Sequence, residues 1–462
     1  MTQQMALQFF QNKMYSDALH CCTELLANDN SNYSLWYLAG SASFELQDYD
    51  LSMNCLYHAI SHKSDFDEAY HMLGNIFSII GETDNALIFW SEAVRINPNS
   101  PITLTNMATV YLNKGDLPTA EEYAKKAINL DKKSIDAYRC MQKIYQKYKN
   151  YDQMEFFLKK IIKYNPYDPE ANFDFAYLLF LRHEYIDAFK HYEYRKKLPS
   201  RIEKYNFLPF SEKEIVNSQN LLIYHEQGFG DNIQFARFLP YLENYSISYA
   251  IQNGLNRLFQ FSFPLIKMVS TVDSNMDFDC CVSSMSIPYE LQISDIPNSK
   301  YLMISDSDVV EFKLRLGADK FKIGLCWKGS TDNKSNLEID FFEEIFKFEN
   351  IQVFSFQTIY DIENNSNIID LGSKFSDFYD TAVAASCMDI MITIDTAVAH
   401  LCGALGLKTI VLVNGDNFDW RWGLNGSQDS VWYQNTTILE INKDEPEISR
   451  DKFNQILRNV VL

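Results

Sequence analysis

"DEAYHMLGNIFSIIGETDNALIFWSEAVRINPNS", residues 67–100, reads as two helices in sequence. Tyr70, Leu73, Gly74 and Phe77 share one face of the first, and Ala86, Trp90 and Ala93 share one face of the second. The same pattern returns every 34 residues. One column of small residues reads Ala18, Ser52, Ala86, Ala120, Met154 and Ala188, with Met154 as the exception. A second reads Gly40, Gly74, Ala108, Gln142 and Ala176, and a bulky third reads Trp36, Tyr70, Leu104, Tyr138 and Asn172. Pro98 and Pro166 fall where their units end, as a residue without an amide hydrogen should. Small residues let antiparallel helices approach closely, and the bulky column fills the space beside them.

A repeat that holds phase from about residue 33 to 198 without insertion predicts stacked helical pairs rather than an unrelated bundle. It resembles the tetratricopeptide repeat, with five full units and a partial one before them. Such a solenoid commonly receives a peptide or protein on its concave face. The alternative, a solenoid that only packs on itself, stands beside that reading. The column where some protein-glycosylating relatives carry asparagines reads Leu38, Met72, Asn106, Cys140 and Asp174, so their ladder is absent.

After about residue 218 the period changes. "NLLIYH" (220–225), "SISYAIQ" (246–252) and "FDCCVSS" (278–284) read as buried strands between helical stretches. A second set follows: "FKIGLCWKG" (321–329), "IQVFSFQ" (351–357), "DIMITID" (389–395) and "TIVLV" (409–413). Strands alternating with helices predict parallel α/β sheets, and two facing halves leave a cleft at the carboxyl ends of their strands. "EISRDKFNQILRNVVL" (447–462) is an amphipathic helix expected to lie across both halves.

Composition narrows the function classes. A chain of 462 residues with 47% apolar and 15% aromatic residues fills more than one core. A net charge of −20 argues against broad binding to nucleic acid or anionic lipid. No run approaches the roughly 20 apolar residues of a membrane span. "MTQQMALQFFQNKMYSDAL" lacks the basic and apolar regions of a signal peptide. Nine cysteines without a C-x-x-C pair fit buried thiols of a reducing cytoplasm better than disulfides or a zinc site.

Two stretches carry the chemistry. In "YHEQGFGDNIQF" (224–235), Gly228, Gly230 and Asp231 follow an apolar run; Ile233 stands where a dinucleotide fingerprint needs its third glycine. In "DIMITIDTAVAHLCGALG" (389–406), a strand ends in Asp395 and a helix opens at Thr396. The first amides, Thr396, Ala397 and Val398, then lack helical partners and suit a phosphate or diphosphate. His400 lies on the same face, either within reach of that phosphate or as an interior histidine, and Gly403 permits close packing. Asp395 either caps the helix or serves a ligand. Asp277/Asp279 and Asp306/Asp308 have the D-x-D spacing of a metal site, but the second pair precedes "VVEFKLRL" and suits a helix start. The aromatic run Trp420, Arg421, Trp422, Trp432 and Tyr433 either stacks on a ligand or buries itself to close the domain.

"EQGFGDNIQFARFLP", "GLCWKGS", "FSFQ", "DTAVAHLCGALG" and "DWRWGL…SVWY" occur in an order that resembles bacterial glycosyltransferases fused to tetratricopeptide repeats, over essentially all of 1–440. Their catalytic region is similar to the heptosyltransferases, and their plan is similar to O-linked N-acetylglucosamine transferases. The resemblance implies an α-solenoid over 1–200, then an α/β GT-B fold of two Rossmann-like lobes, 201–316 on the acceptor side and 317–462 on the nucleotide-sugar side. It implies an inverting, metal-independent transferase with no cofactor. Asp231 would be the general base, with Gln227, Gly228 and Gly230 around the acceptor and sugar. Lys328, Gly329, Ser330, Gln357, Asp395, Thr396, Ala397, Val398 and His400 would hold the nucleotide-sugar donor. The implied acceptor is a protein presented by the repeats, with a flagellin-like filament protein as the example that the architecture suggests. One departure is "STDNKSNLEID" (330–340), where Lys334 is the only basic residue in place of a basic, Arg-Ser-containing segment. It supports the alternative of a non-catalytic, partner-binding scaffold with a degenerate transferase domain. A transferase acting on a lipid-linked glycan is the third reading.

Overall fold

The computed structural model describes residues 1–198, 220–270, 272, 278–317, 320–329, 336–358, 367–415, 420–423, 429–442 and 445–461. The chain divides into two compact units, Met1–Ala171 and Asn172–Leu462.

The first unit is built from helices α1 (Gln3–Gln11), α2 (Tyr15–Leu26), α3 (Tyr33–Glu45), α4 (Tyr49–His62), α5 (Asp67–Ile79), α6 (Thr83–Ile96), α7 (Pro101–Asn113), α8 (Leu117–Leu130), α9 (Ile135–Lys147) and α10 (Tyr151–Tyr164). Two more, α11 (Pro169–Leu181) and α12 (Tyr185–Tyr192), keep the same phase. The period is written into the turns as well as the faces. Lys13, Gln47, Gly81, Gly115, Lys149 and His183 are 34 residues apart, each separates the two helices of a pair, and each has a positive φ. Only two of them are glycine, so the left-handed turn is imposed by pairing rather than by local preference. Side chains at Asn32, Ser100, Ser134 and Asp168, also in phase, accept amide hydrogens and cap the helices that follow.

All six residues of the first small column are buried, Met154 included. Gly74 shows why the second column is small: a Cβ there would run into the Trp90 indole. That ring is 2% exposed, and its Nε1 donates to the His71 carbonyl and to Asn75 Oδ1, each at 3.1 Å. Gly74→Val is therefore expected to lower stability by ~1–3 kcal/mol through overpacking, despite a gain in helix propensity. Thermal unfolding followed by circular dichroism checks this.

His71 gives the unit a pH dependence. Its Nδ1 lies 2.8 Å from Thr103 Oγ1 and its Nε2 3.1 Å from Asn75 Nδ2. Burial holds its pKa below the ordinary histidine value, against a smaller upward pull from Asp67. The unfolded chain therefore binds the proton more readily, and this contribution to stability is lost as pH falls from about 6.5 toward the lower folded pKa. His71→Gln should flatten the fall in melting temperature between pH 7 and 5.5.

The second unit carries the end of the helical array and two parallel sheets. Its first sheet comprises β1 (Asn220–Tyr224), β2 (Ser246–Ala250), β3 (Lys267–Val269) and β4 (Cys280–Ser283), in the order β3-β2-β1-β4. The second comprises β5 (Phe321–Cys326), β6 (Ile351–Ser355), β7 (Ile368–Asp370), β8 (Ile390–Ile394), β9 (Thr409–Asn414) and β10 (Thr436–Ile441), in the order β10-β9-β8-β5-β6-β7. Every paired strand in both is parallel. Strand order reverses between β1 and β4 in one sheet and between β5 and β8 in the other. Helices α13 (Phe229–Phe235), α14 (Asn256–Ser262), α15 (Ile287–Glu290), α16 (Asp306–Leu316), α17 (Phe378–Ala385), α18 (Ala397–Leu405) and α19 (Pro446–Val461) complete the unit.

Three strands, β3, β7 and β10, are not anticipated by the apolar runs. The first two are only three residues long, too short to show a pattern. The last helix differs from expectation too. The buried residues of α19, Phe453 and Leu457, join the core of the second sheet beside Phe341 and Phe342, rather than lying across both sheets.

The aromatic run closes the domain. Trp420 stacks on Phe180 of α11 at 3.9 Å, and Trp432 meets Tyr185 of α12 edge-on. Phe189 packs edge-on against Phe235 and Phe238. The last helical pair thus shares a core with the first sheet. All nine cysteines are buried and free, and burial pushes the Cys280 and Cys326 thiols up to about 11. No described helix is long and apolar enough to cross a membrane.

Candidate functional site

A cleft of about 830 Å³ lies between the carboxyl ends of the two sheets. It is lined from the first sheet by Gln227, Gly228, Phe229, Gly230, Asp231 and Gly254. From the second come Cys326 at the end of β5 with Lys328 and Gly329 after it, Phe356 to Thr358 after β6, Phe375 to Phe378 and Thr381 around α17, and Asp395 to Val398 with His400 after β8. Asn414 and Arg421 complete it. The segments after β1, β5 and β8 border the points where strand order reverses, the place where an open parallel sheet leaves a crevice for a ligand.

Gln227 turns the chain with φ 62°, a strained conformation for a residue with a side chain. Gly228 is the N-cap of α13, and its amide donates to Asp231 Oδ2 at 3.1 Å. Asp231 Oδ1 accepts from Arg421 Nη2 at 2.7 Å, and this guanidinium is itself buried, held also by Gln234 Oε1 and lying over Trp420. Arg421 is the partner that sequence reading does not reveal, because 190 residues separate the pair.

Across the cleft, α18 begins at Ala397, with Thr396 as its N-cap and no side-chain cap bond. The helix thus starts one residue later than expected. Asp395 does not cap it; its Oδ1 lies 4.0 Å from His400 Nε2. The amides of Ala397 and Val398 occupy the first two helical positions, where the helix supplies no acceptor. The positive end of the α18 dipole therefore opens on the cleft. His400 is 6% exposed, bonds Tyr433 Oη through Nδ1 at 2.8 Å and stacks on Trp422. It borders the cleft as a packed interior histidine. Gly230 makes this crossing of α13 and α18 fit, since a Cβ would stand 2.7 Å from His400 Cδ2. Gly403 does the same against Tyr433.

Other expected donor contacts have prior commitments. Gln357 Oε1 accepts from the amides of Trp327 and Lys328 at 2.8 and 3.0 Å, while Nε2 donates to the Lys328 carbonyl at 3.1 Å. It latches the loop after β5 instead of presenting a free amide to a nucleoside. The Gly329 amide donates to Asn336 Oδ1 at 2.8 Å. Lys328 Nζ lies 3.1 Å from Glu338 Oε1, so its charge is balanced. Ser330 and Lys334 lie outside the described residues, as does Asp277. Asp279 Oδ2 accepts from the Asn220 amide, and Asp306 and Asp308 sit in the first turn of α16 behind its N-cap, Ser305. Among the described residues no group of three or more His, Cys, Asp or Glu side chains is arranged to hold a metal ion.

Two tetratricopeptide-repeat families match the chain, at residues 33–65 and 67–100 and at residues 89–122. The chain is 24% identical over 149 residues to the BBSome complex member BBS4 of Bos taurus, covering 32% of this chain and 28% of that one. It is 37% identical over 70 residues to the uncharacterized protein ycf37 of Pyropia yezoensis, covering 15% and 39%. Anaphase-promoting complex subunit 3 of Schizosaccharomyces pombe is 23% identical over 183 residues, covering 39% and 28%. The chain thus spans between 28% and 39% of the length of these curated relatives. Among solved structures, MamA aligns with a TM-score of 0.34 at 18% identity, over 36% of this chain and 97% of that one. Pseudomonas aeruginosa pilF aligns at 0.40 and 15%, over 43% and 90%. Residues 33–122 are thus tetratricopeptide repeats by sequence, and the helical pairs on either side keep their phase.

Proposed function

We propose that this chain recruits a protein through its repeats and binds a nucleotide-sugar in the cleft of its second unit, transferring the sugar to a hydroxyl of that protein. The observation that supports it is the cleft itself. A carboxylate, Asp231, lines one wall, and the amino end of α18 lines the other, at the reversal points of two parallel sheets.

In this reading Asp231 takes the proton from the acceptor hydroxyl as its oxygen attacks the anomeric carbon. The new carbon–oxygen bond forms on the face opposite the breaking bond to phosphate, so the configuration inverts. The nucleoside diphosphate leaves with the bonding electron pair toward the Ala397 and Val398 amides, which favour the added negative charge. Arg421 orients Asp231 through the 2.7 Å bond from its Nη2 to Oδ1.

The second reading is a partner-binding scaffold whose cleft does not catalyse. Two observations favour it. Among the described residues the cations lining the cleft, Lys328 and Arg421, are each paired with a carboxylate. Two of the sequence relatives also favour partner binding, since they are named as members of complexes.

A thermal-shift screen against UDP-, GDP-, CMP- and ADP-sugars, with and without EDTA, separates the two. A ligand that binds the folded state alone raises the melting temperature. One selective, EDTA-resistant shift supports transfer; no shift with any of them supports the scaffold. Donor hydrolysis without protein labelling would move the acceptor to a glycan.

A further inference from the structure

The turn that ends the last helical pair sends a charge into the first sheet. Arg195, in the short 3-10 segment Glu193–Lys197 after α12, is 0% exposed. All five of its N–H groups have acceptors. Nε donates to Glu226 Oε1 at 3.0 Å and Nη2 to Glu226 Oε2 at 2.8 Å. Nη2 also donates to Ser286 Oγ at 2.7 Å, and Nη1 donates to Glu193 Oε1 at 2.5 Å and to the Tyr192 carbonyl at 3.3 Å.

The acceptors are tied to one another as well. Ser283 Oγ donates to Glu226 Oε2 at 2.6 Å, Ser286 Oγ donates to Glu193 Oε2 at 3.0 Å, and Lys196 Nζ lies 2.7 Å from the same Glu193 oxygen. Two cations thus meet two carboxylates with no charge left over. A planar bidentate pair of this kind fixes direction as well as distance.

Location gives the cluster its meaning. Glu226 follows β1 and Ser283 ends β4, the two neighbours across which strand order reverses in the first sheet. Arg195 bonds Glu226 after β1 and Ser286 after β4, and so ties the segments that follow these two strands to each other. Glu226 is also the residue before Gln227, whose left-handed backbone leads into Gly228 and Asp231. A strained turn persists only where its surroundings hold it.

We infer that Arg195 is a positioning residue of the candidate site: it fixes Glu226, and through Glu226 the Gln227 turn that aims Asp231 into the cleft. The tail of the helical array is then part of the site's frame. This deepens the proposed transfer reaction and rests on it for the kinetic readout alone; the exchange readout below stands without it.

The test uses the full chain with Arg195→Met/Glu226→Gln, which removes one charge of each sign and leaves Glu193 with Lys196. Glu226→Gln alone is the milder variant, to be used if the double variant does not fold. Amide hydrogen exchange in 226–231 should rise about ten-fold as the charge-assisted bonds are lost. Exchange in 321–329 and 390–405, and the thermal shift given by UDP, GDP, CDP or ADP, should stay as in the wild type. Turnover, where the wild type shows it, should fall in kcat with an unchanged donor KM. Unchanged exchange in 226–231 overturns the inference. An equal rise across both sheets overturns it too, because that is the mark of a merely structural role. Absence of transfer by the wild type, together with the local exchange change in the variant, defeats the proposed reaction and leaves the positioning role standing.

Discussion

Asp231→Asn should lower sugar transfer by ~10²–10⁴-fold, the range of a lost general base, while nucleoside diphosphate binding is unchanged. The geometry makes this variant informative. Asn keeps one acceptor oxygen for Arg421 Nη2, so the buried guanidinium is not stranded, but it cannot also accept from the Gly228 amide as Asp231 does. A modest fall in melting temperature accompanies the loss of turnover. Arg421→Met is the harsher change. It removes the pair and exposes Asp231 to a cleft without its neutralising charge, and breaking a buried pair from one side costs about 3–5 kcal/mol. A kinetic effect confined to kcat in Asp231→Asn identifies the base. Equal labelling by wild type and variant would refute the assignment and return the cleft to a binding role.

The second large effect is at Gly230. Gly230→Val places branched carbons where the first added atom already meets His400 Cδ2 at 2.7 Å and the Ala397 Cα at 3.5 Å. His400 has no room to yield: Tyr433 holds its Nδ1 and Trp422 covers its ring. Either α13 moves away from α18 or the variant loses ~1–3 kcal/mol to overpacking, and each outcome alters the cleft. The expected result is a lower melting temperature together with loss of any ligand-induced shift. A variant that melts and binds like the wild type would show that the two helices are not held together through this contact.

Much of the fold is legible in the chain because it rests on short-range regularity. A 34-residue period in Ala18, Ser52, Ala86 and Ala120 needs no tertiary information. The caps at Asn32, Ser100 and Ser134 and the left-handed turns at Lys13, Gln47 and His183 share its phase, although no glycine marks those turns. Strands β1, β5 and β8 announce themselves as apolar runs of the buried, parallel kind. What stays hidden depends on partners far away in sequence. Nothing near Asp231 indicates Arg421, nothing near Glu226 indicates Arg195, and Gln357 looks like a ligand contact until its amide is found on the backbone of Trp327 and Lys328. His400 is the same kind of case. Its place on the helix face suggests a phosphate, and its packing against Trp422 and Tyr433 gives it another role.

Amide hydrogen exchange on the full chain decides whether the cleft of the second unit holds a nucleotide-sugar with its diphosphate at the start of α18. The exchange is measured with and without the donor that gives the largest thermal shift. A bound donor should slow exchange only in 326–329, 356–358 and 396–399 on the second sheet, with a smaller effect at 228–231. Protection elsewhere, or none at saturating donor, would contradict it and leave the chain as a repeat protein that binds partners.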